Sequence, residues 1–153
     1  MMKRLFADPT GNSTVELAII MPVLVLLTFM AGDVAMAFKA KITLQRAAER
    51  AAQMATAGGY STTSSNNYSN LKADAASAAG VSTNNVTVTP TLVCDSTAQT
   101  TPDYCTATQQ MKRYVAITIS GTYTPMFAKL MPGSSKWSSQ GIALTGSSSV
   151  RLQ

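Results

Sequence analysis

The sequence predicts an α+β protein in which one long N-terminal transmembrane helix runs on into a small antiparallel sheet domain. Three observations predict it. An uncharged apolar run lies near the N-terminus, an alanine-rich stretch free of Gly and Pro continues it, and later segments alternate β-branched with polar residues. The 153 residues, 46% apolar and only 12% charged, hold one core rather than two. Ser, Thr and Asn replace the missing charge, so charge-driven disorder is not expected, and a polar domain that is secreted or membrane-tethered is.

Histidine is absent, which removes the commonest general base and the commonest metal ligand together. The chain is therefore expected to be no enzyme and to carry no cofactor. Its net charge of +5 is spread from Lys3 to Arg151 without a dense run, and the Tyr and Phe residues do not interleave with the basic ones. Nucleic-acid binding needs both features and is not expected.

The first element is the apolar run. Leu17 to Gly32 is sixteen residues without a charge, and after Asp33 the apolar character resumes through Val34 to Phe38. Leu17 to Phe38 spans about 33 Å as a helix, against a hydrocarbon core of about 30 Å. A domain this small lacks the apolar surface to enclose such a helix as a core element. Pro22 leaves the Ala18 carbonyl without its usual donor and favours a kink, which transmembrane helices tolerate. Asp33 costs about 2.5 to 3.5 kcal/mol at a bilayer centre and far less near an interface. It either marks the outer boundary of the span or pairs with a basic group such as Lys39.

Ahead of the run stands MMKRLFADPTG, a short leader carrying Lys3 and Arg4, followed by GNSTVE. Gly11 five positions before Glu16, placed between a basic leader and a transmembrane run, resembles the signal read by prepilin peptidases. The resemblance implies a cut after Gly11, with Asn12 as the new N-terminus and Glu16 as its fifth residue. The alternative for Glu16 is complementation of the helix dipole, worth a few tenths to about 1 kcal/mol.

Beyond Phe38 no Gly or Pro occurs until Gly58, and KAKITLQRAAERAAQMATAGG reads as the same helix continuing into water. Ala47, Ala51 and Ala55, flanked by Ala48 and Ala52, form a small-residue face. That face either permits close helix packing or reflects alanine as the best helix former. Gly58 and Gly59 supply the stop. The chain thus divides into a leader at 1–11, a transmembrane and extended helix at 12–57, and an exterior α+β domain at 58–153.

Val15 to Thr56 resembles the N-terminal region of TadE-like proteins, the minor pseudopilins of tight-adherence pili. The shared features are Glu16 opening the helix, Pro22 within the apolar run, Asp33 at its end and a basic Ala-rich continuation. Leu17 stands where the major pilin of such systems has Tyr, and a long exterior domain follows. Val34 and Ala35 stand where the family commonly has an aromatic residue and a Gly. The resemblance implies a pilin-like fold and roles for Glu16, Pro22 and Asp33 in assembly. It also implies a bacterial inner-membrane location, and as partners a prepilin peptidase, other pilins or pseudopilins, inner-membrane pilus assembly proteins and the lipid bilayer.

In the exterior domain, Tyr60 to Asn70 reads as a polar linker and Leu71 to Ala79 as a short helix closed by Gly80. Val86 to Val93 points Val86, Val88 and Leu92 to one face, with Thr87, Thr89 and Thr91 on the other. Tyr114 to Tyr123 sets Val115, Ile117, Ile119 and Tyr123 against Thr118, Ser120 and Thr122. Ile142 to Leu152 is a weaker third run. These predict about three antiparallel strands packed on the C-terminal half of the long helix. Cys94 and Cys105 read as one disulfide in an exported segment, and a metal site needs more ligands of this type than the chain has. Met126 to Trp137, broken by Pro132 and Gly133, either packs in the core or a loop or touches the membrane surface.

The function expected is structural, a membrane-inserted minor pseudopilin assisting assembly of a tight-adherence pilus. Two alternatives stand beside it. One is a secreted adhesive or ligand-binding domain released by ordinary signal cleavage at the small-x-small site Ala35 and Ala37; the other is an anchor that is never cut. Lys39, Lys41, Arg46 and Arg50 outnumber Lys3 and Arg4, so the positive-inside rule argues for a cytoplasmic C-terminal domain. The prepilin-like leader, the cysteine pair and the Ser and Thr content argue for the opposite orientation.

Overall fold

The computed structural model describes residues 12–58, 68–99, 105–106, 108–127 and 141–152. Helix α1, Asn12–Thr56, has 45 residues and continues through Pro22, giving a rod about 67 Å long. It closes as expected at Gly58, whose φ of 80° suits a residue without Cβ and whose N–H reaches the Ala55 carbonyl. The leader and most of the expected 60–70 linker lie outside the described residues. Helix α2, Ser69–Ala79, starts two residues before its expected position and ends at Gly80, with φ 67° and its N–H shared between the Ala76 and Ser77 carbonyls.

Among the described residues four strands follow, against about three expected: β1 (Val86–Cys94), β2 (Thr97–Gln99), β3 (Met111–Tyr123) and β4 (Ile142–Arg151). They form one antiparallel sheet in the order β2-β1-β3-β4. β2 has three residues, too few to show an alternation in sequence. Its signal is the two-residue Asp95-Ser96 connection, in which Asp95 takes φ 56°, a conformation Asp tolerates in hairpin turns. The Asp95 carboxylate and N–H then tie the turn to Gln110. Cys94 and Cys105 are bonded, with their Cα atoms 5.6 Å apart.

The alternation expected for β1 and β3 sets the packing. Val86 lies opposite Ile119, Val88 opposite Ile117 and Pro90 opposite Val115, all directed at the helical layer, while Thr87, Thr89, Thr118 and Ser120 are exposed. The helical layer consists of α2 and the C-terminal part of α1. Leu44, Ala47, Ala48, Ala51, Ala52 and Ala55 are buried together with Leu71, Ala75 and Ala76 of α2. The alanine face is therefore used within the chain, against its own sheet and α2. Small side chains bring backbones close, and Arg50 joins the helices on the outside through Asp74 at 3.0 Å, an exposed pair worth at most about 1 kcal/mol.

The closest approach is between α1 and β4. A Cβ at Gly146 would lie 2.5 Å from the carbonyl carbon and oxygen of Leu44, while one at Gly121 would meet only the Leu44 side chain at 3.2 Å. Beside this contact, the Gln45 amide donates to the Ser147 carbonyl at 3.0 Å and accepts from the Ser147 N–H at 3.2 Å. Lys41 donates to the Thr145 carbonyl. Two helix side chains thus satisfy outward backbone groups of an edge strand, which otherwise invite pairing with another chain.

Gly146→Ala should cost about 1 to 3 kcal/mol, because the opposing atoms are backbone and cannot rotate away. Gly121→Ala should cost clearly less, since the tip of Leu44 can move. Thermal unfolding of the two detergent-solubilised variants checks the order.

Candidate functional site

Among the described residues, most of the apolar part of α1 is left exposed. From Val15 to Phe38 its large apolar side chains are between 38% (Met30) and 69% (Ile19) exposed. Exposure of this extent over a stretch long enough to cross a bilayer fits a single-pass membrane protein. Glu16 is exposed near the start of this stretch and Asp33 lies toward its end. Seventeen residues of helix, about 25 Å, separate them. The structure therefore keeps the candidate residues at two stations. Gly11 lies outside the described residues, Asn12 is the first residue of α1, and Pro22 sits between the two acids.

Asp33 is the best-connected of these residues. Its Oδ1 accepts from the Met126 N–H at 2.9 Å and from the Tyr123 hydroxyl at 3.2 Å, and its Oδ2 accepts from the Phe127 N–H at 2.8 Å. Two consecutive backbone N–H groups and a phenol thus converge on one carboxylate. One helical turn earlier, Phe29 stacks on Phe127 with ring centroids 4.6 Å apart and planes at 15°. Buried Pro125 stiffens the turn between these contacts.

The turn after β3 is therefore clamped to α1 at Asp33. Where a boundary position or a basic partner was expected for Asp33, the structure supplies donors from the sheet domain. Met126 is 63% exposed, and Phe127 is half-buried against α1. Residues 128–137 of the stretch expected to lie in a loop or at the membrane lie outside the described residues. Tyr123, Phe127, Lys41 and Gln45 were not singled out as functional by sequence. The available signal was Asp33 itself, an acid in an apolar run that needs donors.

Comparison with known proteins follows the same division of the chain. Residues 11–53 match the family model described as TadE-like protein. Over these residues the chain is similar to TadE-like proteins. The match takes in Gly11, Glu16, Pro22 and Asp33 and most of the alanine face, but not Tyr123, Met126 or Phe127, which hold Asp33. No curated protein and no solved structure matches the chain. Among the described residues no group of three or more potential metal ligands occurs.

Tyr123 titrates above the ordinary phenol value of 10.0, first through desolvation, then through the Asp33 charge and the hydrogen bond to it. The raised value belongs to the folded state. Its contribution to the clamp is thus present in full below about pH 10 and is lost as pH rises beyond that. Asp33→Ala should release the turn, speeding hydrogen exchange at the Met126 and Phe127 amides roughly tenfold or more, since bonds to a charged acceptor are worth about 1.5 to 3 kcal/mol. Asp33→Asn, which keeps an acceptor but not the charge, should fall between.

Proposed function

We propose that the protein is a minor pseudopilin, a membrane-inserted structural component that assists assembly of a tight-adherence pilus. The observation that carries this reading is the TadE-like match at residues 11–53 lying on a helix whose apolar half is largely exposed. In this reading a prepilin peptidase cuts after Gly11. Glu16 then lies one turn from the new amino group of Asn12. Its carboxylate meets the N-terminal amine of a neighbouring pilin at the membrane face, where scarce solvent strengthens charge pairing, and so sets the axial offset between packed helices. Pro22 adapts the helix between the two acids, and Asp33 holds the exterior domain to the helix. The protein needs no catalytic residue for this role.

Orientation with the C-terminal domain outside the inner membrane is supported by the Cys94–Cys105 bond, since such bonds persist in oxidising compartments. Two of the four basic residues that argue the other way have partners in the domain: Lys41 on Thr145 and Arg50 on Asp74. Release by signal cleavage after Ala37 is disfavoured, because that bond lies inside α1 and the cut would remove both Phe29 and Asp33 from the domain they hold.

Intact mass from the native membrane should give a chain starting at Asn12. A start at Phe38 would establish the secreted alternative, and a start at Met1 or Met2 would exclude processing. Glu16→Ala should insert, fold and be cut normally while piliation and co-purification with pilus components fall sharply, and Glu16→Asp should be intermediate. Wild-type piliation by a normally processed Ala variant would return Glu16 to the helix dipole. Non-reducing peptide mapping should recover Cys94 joined to Cys105, whereas free thiols in quenched native material would count against the orientation.

A further inference from the structure

A groove of about 480 Å³ runs along α1 beside the Asp33 clamp. Met30, Val34 and Phe38 form one wall, and Phe127, Ile142 and Leu144 form the other. Lys41 is the basic residue of the lining. Both walls are apolar, yet Val34 and Phe38 remain 55% and 65% exposed, so the described chain leaves the groove open on the helix side. Its volume lies in the range of small-molecule sites.

We propose that this groove binds one phospholipid of the leaflet on the domain's side, its acyl chain between the walls and its phosphate at Lys41. The inference rests on the membrane-spanning reading of α1. Three features select this occupant. The α1 wall belongs to the apolar run that spans the bilayer, so the groove opens into hydrocarbon rather than water. From Met30 to Lys41 the helix rises eleven residues, about 16 Å, close to half of a hydrocarbon core of about 30 Å. A chain seated at Met30 therefore brings its headgroup level with Lys41.

The third feature is charge. An ammonium carries three protons, and one is given to the Thr145 carbonyl. Two remain for a phosphate oxygen. Asp33, the acid in the groove wall, has both carboxylate oxygens engaged by the two backbone N–H groups and the phenol of the turn, on the domain side. The clamp that holds the domain to α1 thereby also builds the second wall of the site.

Two measurements on the full chain test this. In native mass spectrometry from mild detergent with equimolar phosphatidylglycerol and phosphatidylcholine, the protein should retain one phospholipid and prefer phosphatidylglycerol. Lys41→Gln should lose that preference by about 5-fold, the equivalent of a 1 kcal/mol ion pair, and Lys41→Arg should keep it. In vesicles of the same two lipids with brominated acyl chains, and with Trp137→Phe as background, Ile142→Trp should be quenched about as strongly as Leu24→Trp in the open span. Thr118→Trp on the exposed sheet face should not be quenched.

Quenching of the Leu24 reporter without the Ile142 reporter, together with absence of a retained lipid, would overturn the groove proposal while leaving the span intact. Quenching of the Ile142 reporter that disappears as protein concentration rises would assign the groove to a second copy instead. Failure of both reporters would overturn the membrane reading and the site with it.

Discussion

Because α1 passes without a break from an uncovered apolar stretch to a packed alanine face, the carboxylate between the two decides how they are joined. Asp33 takes two backbone N–H groups and a phenol from the end of β3 and the turn after it. An acid so placed would be a burden in the apolar run if it stood alone. Here its need for donors is met by the domain, and the desolvation that penalises a lone charge strengthens each bond it makes. The Phe29–Phe127 stack extends the same contact one turn into the span.

Above that junction the packing depends on the absence of side-chain bulk. Five buried alanines on α1 and the glycines at 121 and 146 of the sheet let helix and strand approach until the Leu44 backbone faces the β4 backbone. Close approach in turn lets Lys41 and Gln45 reach the outward groups of β4. The opposite edge is treated differently. β2 covers only the Leu92–Cys94 end of β1, and Pro90, lacking an N–H, interrupts the remainder. Neither edge presents an uninterrupted row of free donors and acceptors, which suits a protein whose proposed partners meet it through the helix.

The helix and strands β1 and β3 were legible because each carries a period. Sixteen uncharged residues, an unbroken alanine-rich continuation and the alternation of Val86–Leu92 and Val115–Ile119 are local signals, and the structure places these residues on the expected faces. Glu16, Pro22 and Asp33 were legible as positions but not as contacts. The partners of Asp33 lie 90, 93 and 94 residues away, and two of them act through backbone N–H groups that any residue would supply. No pattern of residue types announces such a bond. The alanine face illustrates the complementary case, in which the pattern was clear and its use was not. Close packing was one of two readings, and the partner proved to be the chain's own sheet and α2. β2 escaped notice because three residues cannot display a period.

The clamp gives the molecule a mechanical character as well. The sheet grips α1 at Asp33, at Leu44 and again along the alanine face as far as Ala55, so the attachment is spread over 23 residues of continuous helix. A load applied to the exterior domain is shared among these points and passes into the span along the helix axis. It bypasses the polar segment that follows Gly58, which is where a tethered domain would ordinarily swing. Domain and span are thus coupled along one continuous helix, with Pro22 lying below the grip.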